Sequence, residues 1–209
     1  MSTTPKSLLW TRTDTAGAEH ALVDDDHGLT ARGTLLAVDP IPYTCRYQVA
    51  TDSNWGSVRL EVEVEGAGWR RNVRLERATQ RWRVTAAEQG DLEAVLTGGG
   101  HPPAGLPGVE DPDRLAEAFD VDLSGSPLFN TLPLRRLGLT TAPVDTRHRI
   151  SVAWVLVPSL TVLPAEQVYT GLGPSRFRYV NGGFSAEVEV DPDGYVLRYP
   201  GLVQRATTR

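Results

Sequence analysis

A single cysteine, Cys45, stands among 209 residues. No disulfide can form within the chain, so the fold rests on packing and hydrogen bonds alone. Histidines are few and scattered at His20, His27, His101 and His148. With one cysteine they make no spacing of the kind that holds zinc, and neither metal nor cofactor is expected. Long apolar runs are missing as well. The longest, Val152 to Leu163, is broken by Pro158 and falls short of the roughly 18 residues needed to cross a bilayer. The opening stretch, MSTTPKSLLW, has only Leu8 to Trp10 as an apolar run, where a secretory signal needs about 7–15 such residues. A cytoplasmic protein without a transmembrane segment is the expectation. Lysine is almost absent: Lys6 stands alone against 20 arginines, and the formal net charge is −5. That balance excludes the clustered excess of base a dedicated nucleic-acid binder carries. There is no Gly-x-Ser-x-Gly elbow for a serine nucleophile, and Gly171-Leu172-Gly173 is too short for a phosphate loop.

Alternation is abundant. In Val58–Glu65, VRLEVEVE, Val58, Leu60, Val62 and Val64 alternate with Arg59, Glu61, Glu63 and Glu65. Successive side chains on a strand point to opposite faces, so this segment is a strand with one wet face and one buried face. Phe184–Val190 repeats the pattern, with weaker versions in Leu29–Val38, Tyr43–Val49 and Val73–Val84. Ile150–Val157 is apolar on both sides, as in a strand buried on both faces. Turn signals punctuate these runs at Asp39–Pro42, Asn181-Gly182-Gly183 and Asp193-Gly194, the last a strong hairpin signal. Many short strands at such intervals predict an all-β sandwich, barrel or roll, and a chain of this length reads as one domain spanning 1–209.

The alternation stops at Gly98–Gly108, GGGHPPAGLPG, which predicts a long loop. Asp111–Phe119 then predicts a short helix, capped by Asp111, with Pro112 at its first position and Leu115, Ala116 and Phe119 on one face. Charge is uneven. Seven arginines stand against four glutamates between Arg59 and Arg83, and nine acids against Arg114 alone between Glu88 and Asp122. Either these are solvated faces, or the segments pack together and steer a polar ligand.

The densest chemistry lies in Phe119–Leu137, FDVDLSGSPLFNTLPLRRL. On a strand, Asp120 and Asp122 would share a face at a separation of about 7 Å, twice the rise per residue. Two such carboxylates can act as acid and base, share a cation, or each accept an arginine fork from Arg135 or Arg136; the structural fork is the favoured reading.

This stretch resembles the signature of a bacterial family, the Putative glycolipid-binding proteins, whose pattern runs close to DVDLS-x-x-P-x-x-NTLPIRRL. The match covers Asp120–Ser124, Pro127 and Asn130–Leu137, with Leu134 where isoleucine is usual. Gln167-Val168-Tyr169, the hairpin residues Phe184, Val190-Asp191 and Gly194, and Tyr199-Pro200-Gly201-Leu202 with Arg205 continue it, while Glu19-His20, Tyr47 and Trp55 fit upstream. Departures are Ser126–Asn130 in place of a threonine-rich TPFTN, Ala118-Phe119 in place of Gly-Cys, and a longer Gly98–Gly108 loop. The resemblance implies a curled antiparallel β-roll or incomplete barrel; the short helix and long loop read from the residues precede the signature. It also implies binding of an amphiphilic small molecule, a glycolipid or lipid-like compound, without catalysis. Candidate ligand contacts are Asp120, Asp122, Asn130, Thr131, Arg135, Arg136, Gln167 and Tyr169. Trp55, Trp154, Tyr169 and Phe184 are candidate walls of an apolar cavity, with plain core packing as the competing role. The alternatives are a hydrolase using Asp120 and Asp122, and a structural or interaction module.

Overall fold

The computed structural model describes residues 4–79, 81–108 and 111–207. Its strands are β1 (Lys6–Arg12), β2 (Gly17–Asp24), β3 (Thr30–Ala37), β4 (Tyr43–Thr51), β5 (Ser57–Gly66), β6 (Trp69–Ala78) and β7 (Arg81–Gly90), followed by β8 (Ala118–Leu123), β9 (Arg147–Val155), β10 (Val162–Gly173), β11 (Arg176–Asn181), β12 (Phe184–Val190), β13 (Val196–Tyr199) and β14 (Val203–Arg205). All belong to one 14-stranded sheet in the order β7-β6-β5-β4-β3-β2-β1-β14-β13-β12-β11-β10-β9-β8. Every pairing is antiparallel except that of β8 with β9. The alternation in Val58–Glu65 holds from Leu60 onward: Leu60, Val62 and Val64 are buried while the arginines and glutamates between β5 and β6 pair across the outer face, but Val58 is exposed and Ser57 buried, because the β4–β5 register shifts there.

A right-handed twist repeated over this many strands curls the sheet until its ends approach. Among the described residues no ladder closes the gap. Side chains bridge it instead: Trp82 of β7 donates its indole N–H to Ala118 O at 2.9 Å, Arg77 of β6 reaches Phe119 O at 3.2 Å, and Ser57 Oγ of β5 accepts from Val121 N at 3.1 Å. The all-β incomplete barrel is therefore the architecture.

The signature segment fills the roll. A 3-10 turn at Pro127–Asn130 runs into a short helix, α2 (Thr131–Arg136), and Leu128, Phe129, Asn130, Thr131, Leu132 and Leu134 are all buried. Burying each of the large apolar side chains contributes roughly 1.5–3 kcal/mol relative to leaving it exposed. Phe129 meets the Tyr47 ring edge-on at 5.3 Å, tying this plug to β4.

The structure departs from the sequence reading at four places. A helix at Leu92–Gly98, α1, precedes the long loop; Asp91 caps it by accepting from Ala94 N at 2.8 Å. The segment read as a helix from Asp111 to Phe119 is only a 3-10 turn, Pro112–Leu115, with Asp111 Oδ1 accepting from Asp113 N. Phe119 instead joins β8 and points outward, because its ring lies beneath the guanidinium of Arg77 at 4.0 Å and that of Arg136 at 4.5 Å. The Val73–Val84 alternation is split between β6 and β7 at a turn, and its Gln80 lies outside the described residues. β9 stops at Val155, with Val152, Ala153 and Val155 buried but Ile150 and Trp154 only half-buried.

Candidate functional site

Both carboxylates of β8 turn into the roll, and there they part company. Asp120 is fully buried and gripped by Arg136, whose Nε lies 3.1 Å from Oδ1 and Nη2 2.5 Å from Oδ2. Burial pushes its carboxyl up, and the fork and charge of Arg136 pull it back only in part. This is the anchoring arrangement that the arginine pair suggested, realised by Arg136 alone. Arg135 goes elsewhere: its guanidinium stacks 4.4 Å over Trp55 and donates to Asp193 O at 2.9 Å. Thr131 Oγ1 donates to Gly194 O at 3.0 Å. Together these two fasten α2 to the Asp193-Gly194 turn, where Gly194 has a φ of 84° that favours glycine.

Asp122 has no cation in contact among the described residues. Gln167 Nε2 donates to its Oδ2 at 2.6 Å, and the Leu123 backbone N–H also donates to the carboxylate. Burial raises its pKa to about 6, against these hydrogen bonds. The chain continues outward from Gln167. Its Oε1 lies 3.1 Å from the Tyr169 hydroxyl, which is 3.3 Å from Asn130 Oδ1. Because a carboxylate only accepts, Gln167 must present its amide N–H to Asp122 and its oxygen to Tyr169. Asp122, Gln167, Tyr169 and Asn130 thus form one polar network drawn from β8, β10 and the 3-10 turn.

Two members of this network, Asp122 and Asn130, line a cleft of about 280 Å³. Asp122, Ser126 and Asn130 contribute its polar lining together with Asn181, and Trp154, Tyr179, Phe184 and Tyr199 its aromatic walls. Tyr179 stands edge-on to Tyr169 at 5.4 Å and to Tyr199 at 6.0 Å, and Phe184 lies 6.2 Å from Tyr199. Phe184 remains 50% exposed, so the aromatic cluster opens to solvent. Of the aromatics predicted as cavity walls, Trp154 and Phe184 line the cleft. Tyr169 sits behind it and Trp55 packs against Arg135. Asp120, Thr131, Arg135 and Arg136 do not line it. A larger hollow of about 950 Å³ lies at the strand ends beside Leu36, Tyr43 and Trp69, but none of the candidate ligand contacts lines it.

Glu19 was matched only as part of a pattern, and the structure gives it a place. It is buried on the inward face of β2, where its Oε1 accepts from the Tyr47 hydroxyl at 2.5 Å and from Ser126 Oγ at 2.7 Å. Its Oε2 has no hydrogen-bond partner among the described residues, and burial raises its pKa to about 7 despite those two donors. The signal was present: Glu19 occupies the same side of the alternation as Ala21 and Val23, a position that otherwise faces the core. Tyr179 likewise follows from the inward phase of β11. Among the described residues no group of three His, Cys, Asp or Glu side chains could hold a metal ion, and no helix is long and apolar enough to cross a membrane.

A family model described as Putative glycolipid-binding matches residues 7–205. The chain is also similar to the crystal structure of a DUF1089 family protein from Pseudomonas aeruginosa, with 27% sequence identity and a TM-score of 0.65, over 90% of this chain and 92% of that one. No curated protein matches. The match over nearly all of the chain, with the signature segment as the plug that floors the aromatic cleft, places this protein in the Putative glycolipid-binding family.

Proposed function

We propose that this protein binds an amphiphilic small molecule of the glycolipid kind, and that the cleft floored by Asp122 and Asn130 receives its headgroup. One observation carries the reading: aromatic walls and a few convergent polar groups meet in an open cleft built partly from the signature segment. Such a combination is the usual make-up of small-molecule sites. The volume, about 280 Å³, is at the small end for ligand clefts, which suits a headgroup rather than a whole lipid. The family description supports the same class of ligand. A hydrolase built on Asp120 and Asp122 has less to stand on, because Asp120 is forked by Arg136 and does not line the cleft.

Native mass spectrometry after incubation with a total bacterial lipid extract tests the proposal. The wild type should carry a lipid mass that dissociates on activation, and Phe184→Asp should lose most of it. Phe184 is half exposed, so the substitution leaves the core alone. A bare protein mass from both would refute the proposal.

A further inference from the structure

Resting on the reading that the cleft takes a headgroup, we infer that this headgroup is a cation, an alkylated ammonium held between the Asp122 carboxylate and a triangle of aromatic rings. Centroid to centroid, Tyr179 lies 6.3 Å from Phe184 and 6.0 Å from Tyr199, and Phe184 lies 6.2 Å from Tyr199. All three rings line the cleft, with Trp154 as a fourth wall. A triangle of that size leaves a point over it within about 6 Å of every centroid, the reach of a cation–π contact. Asp122 stands beside the rings, close enough for its charge to act on the hydroxyls of both Tyr179 and Tyr199. A carboxylate sheltered from water is costly without a counter-charge. Asp122 takes hydrogen bonds from Gln167 and the Leu123 N–H but meets no cation among the described residues. A bound ammonium supplies that charge, and the rings receive its methyl groups.

The neutral polar groups turn the same way. Tyr169 has one proton, and Gln167 Oε1 receives it at 3.1 Å. What Tyr169 still offers is a lone pair. The Asn130 amide, 3.3 Å away, satisfies it with an N–H and turns its oxygen to the cleft. Asn181 spends its own N–H on the Tyr179 hydroxyl at 3.3 Å, and its side-chain oxygen takes no hydrogen bond from a described residue. Two carbonyl oxygens thus join the carboxylate around the cleft. Asp122 is the only residue lining it that is charged near neutral pH. The nearest cations are already engaged. Arg136 is forked on Asp120, and Arg12, which passes behind Gly125, is forked on Asp14 with Nε–Oδ1 at 2.9 Å and Nη2–Oδ2 at 2.5 Å. An anion would meet a carboxylate and no free cation, and a neutral group would leave that carboxylate without a counter-charge. The groups facing Asp122 are Asp120 on its own strand, Gln167 and Tyr169 on β10, Tyr179 on β11 and Tyr199 on β13. Burial holds all three tyrosines in their neutral form, so Asp122 is the member of this set that gains or loses charge as pH crosses about 6.

Three ligands with the same tail test the inference: octyltrimethylammonium, octyl β-D-glucoside and octyl sulfate. Each is titrated below its micelle concentration by isothermal calorimetry at pH 7.5 and pH 5. The ammonium should bind at least tenfold tighter than either of the others at pH 7.5. Its charge does not titrate, so its advantage over the glucoside should shrink severalfold at pH 5, where Asp122 is mostly neutral. Asp122→Asn should shrink it in the same way at pH 7.5, and the wild-type pH series gives the answer even if that variant folds poorly. Phe184→Leu keeps an apolar side chain at a half-exposed position and removes one ring, and it should weaken ammonium binding severalfold. Glucoside or sulfate binding as tight as the ammonium at pH 7.5 would overturn the ammonium inference and leave the amphiphile reading standing. An ammonium advantage unmoved by pH, or ammonium binding unmoved by loss of the Phe184 ring, would overturn it as well. Failure of all three to bind would sink both.

Discussion

Removing Arg136 should show that Asp120 is a structural charge whose cost is hidden by its partner. Asp120 is completely buried, and its carboxylate takes a two-pronged hydrogen bond from Arg136. Arg136→Met keeps the packing stem and deletes the charge. Breaking a buried pair from one side costs about 3–5 kcal/mol, because the remaining charge has no solvent and no partner. Domains are commonly stable by only about 5–15 kcal/mol, so the variant should unfold at a much lower urea concentration. The sign of the pH dependence is determined too. Asp120 already has a folded-state pKa above its ordinary value, and Arg136 is the largest influence lowering it. Without Arg136 the folded pKa climbs further. An acid with a raised folded pKa contributes stability that is full below its unfolded pKa and is lost as pH rises through the folded one. The penalty should therefore be largest at pH 7.5 and smaller at pH 5. Urea unfolding followed by tryptophan fluorescence at both values measures it. Adding Asp120→Asn to the variant should recover much of the loss, since the uncompensated charge is then gone. A loss under about 1 kcal/mol at pH 7.5, or an equal loss at both pH values, would refute the reasoning.

Glu19→Gln should make the protein more resistant to urea above pH 7. A folded pKa raised from 4.5 to about 7 corresponds to roughly 3 kcal/mol of stability lost as pH rises between those values, and the amide variant should lack that slope. Phe129→Ala should cost about 3–5 kcal/mol, read from the same melts, because it removes a buried ring from the plug and its contact with Tyr47. Thr131→Val, which strips the hydroxyl from the Gly194 carbonyl, should cost about 1 kcal/mol. Arg149→Ala breaks only an exposed pair with Glu166 and should move stability by less than about 1 kcal/mol; a larger change would mean that β9 and β10 depend on their outer face.

Alternation is a local property of the chain, and what depends on it was readable without coordinates. The buried and exposed faces of residues 60–65, the hairpin at Asp193-Gly194, and the all-β class follow from neighbours one or two residues apart. The resemblance carried by Asp120–Leu137 added the incomplete barrel, and it marked Asp122, Asn130, Gln167 and Tyr169, which the fold joins into one network. It did not separate those residues from Arg135 and Thr131, which anchor α2 to a turn instead. The helix at Leu92–Gly98 escaped notice because its few residues offer too short a period beside a Gly- and Pro-rich loop.

What the sequence by itself determined, then, is the all-β class and the two faces of its strongly alternating strands. Tertiary structure alone decided the roles of the polar residues that face inward. Asp120 and Asp122 are chemically the same and stand one residue apart on the same strand, yet Arg136 reaches one and Gln167 the other. The walls of the cleft come from β9, β11, β12 and β13, which the curl of the sheet brings against the plug. A carboxylate's charge and usefulness depend on the groups within a few ångströms of it. In a sheet of this length those groups arrive from distant parts of the chain, so only the fold assigns one aspartate to an ion pair and the other to an open cleft.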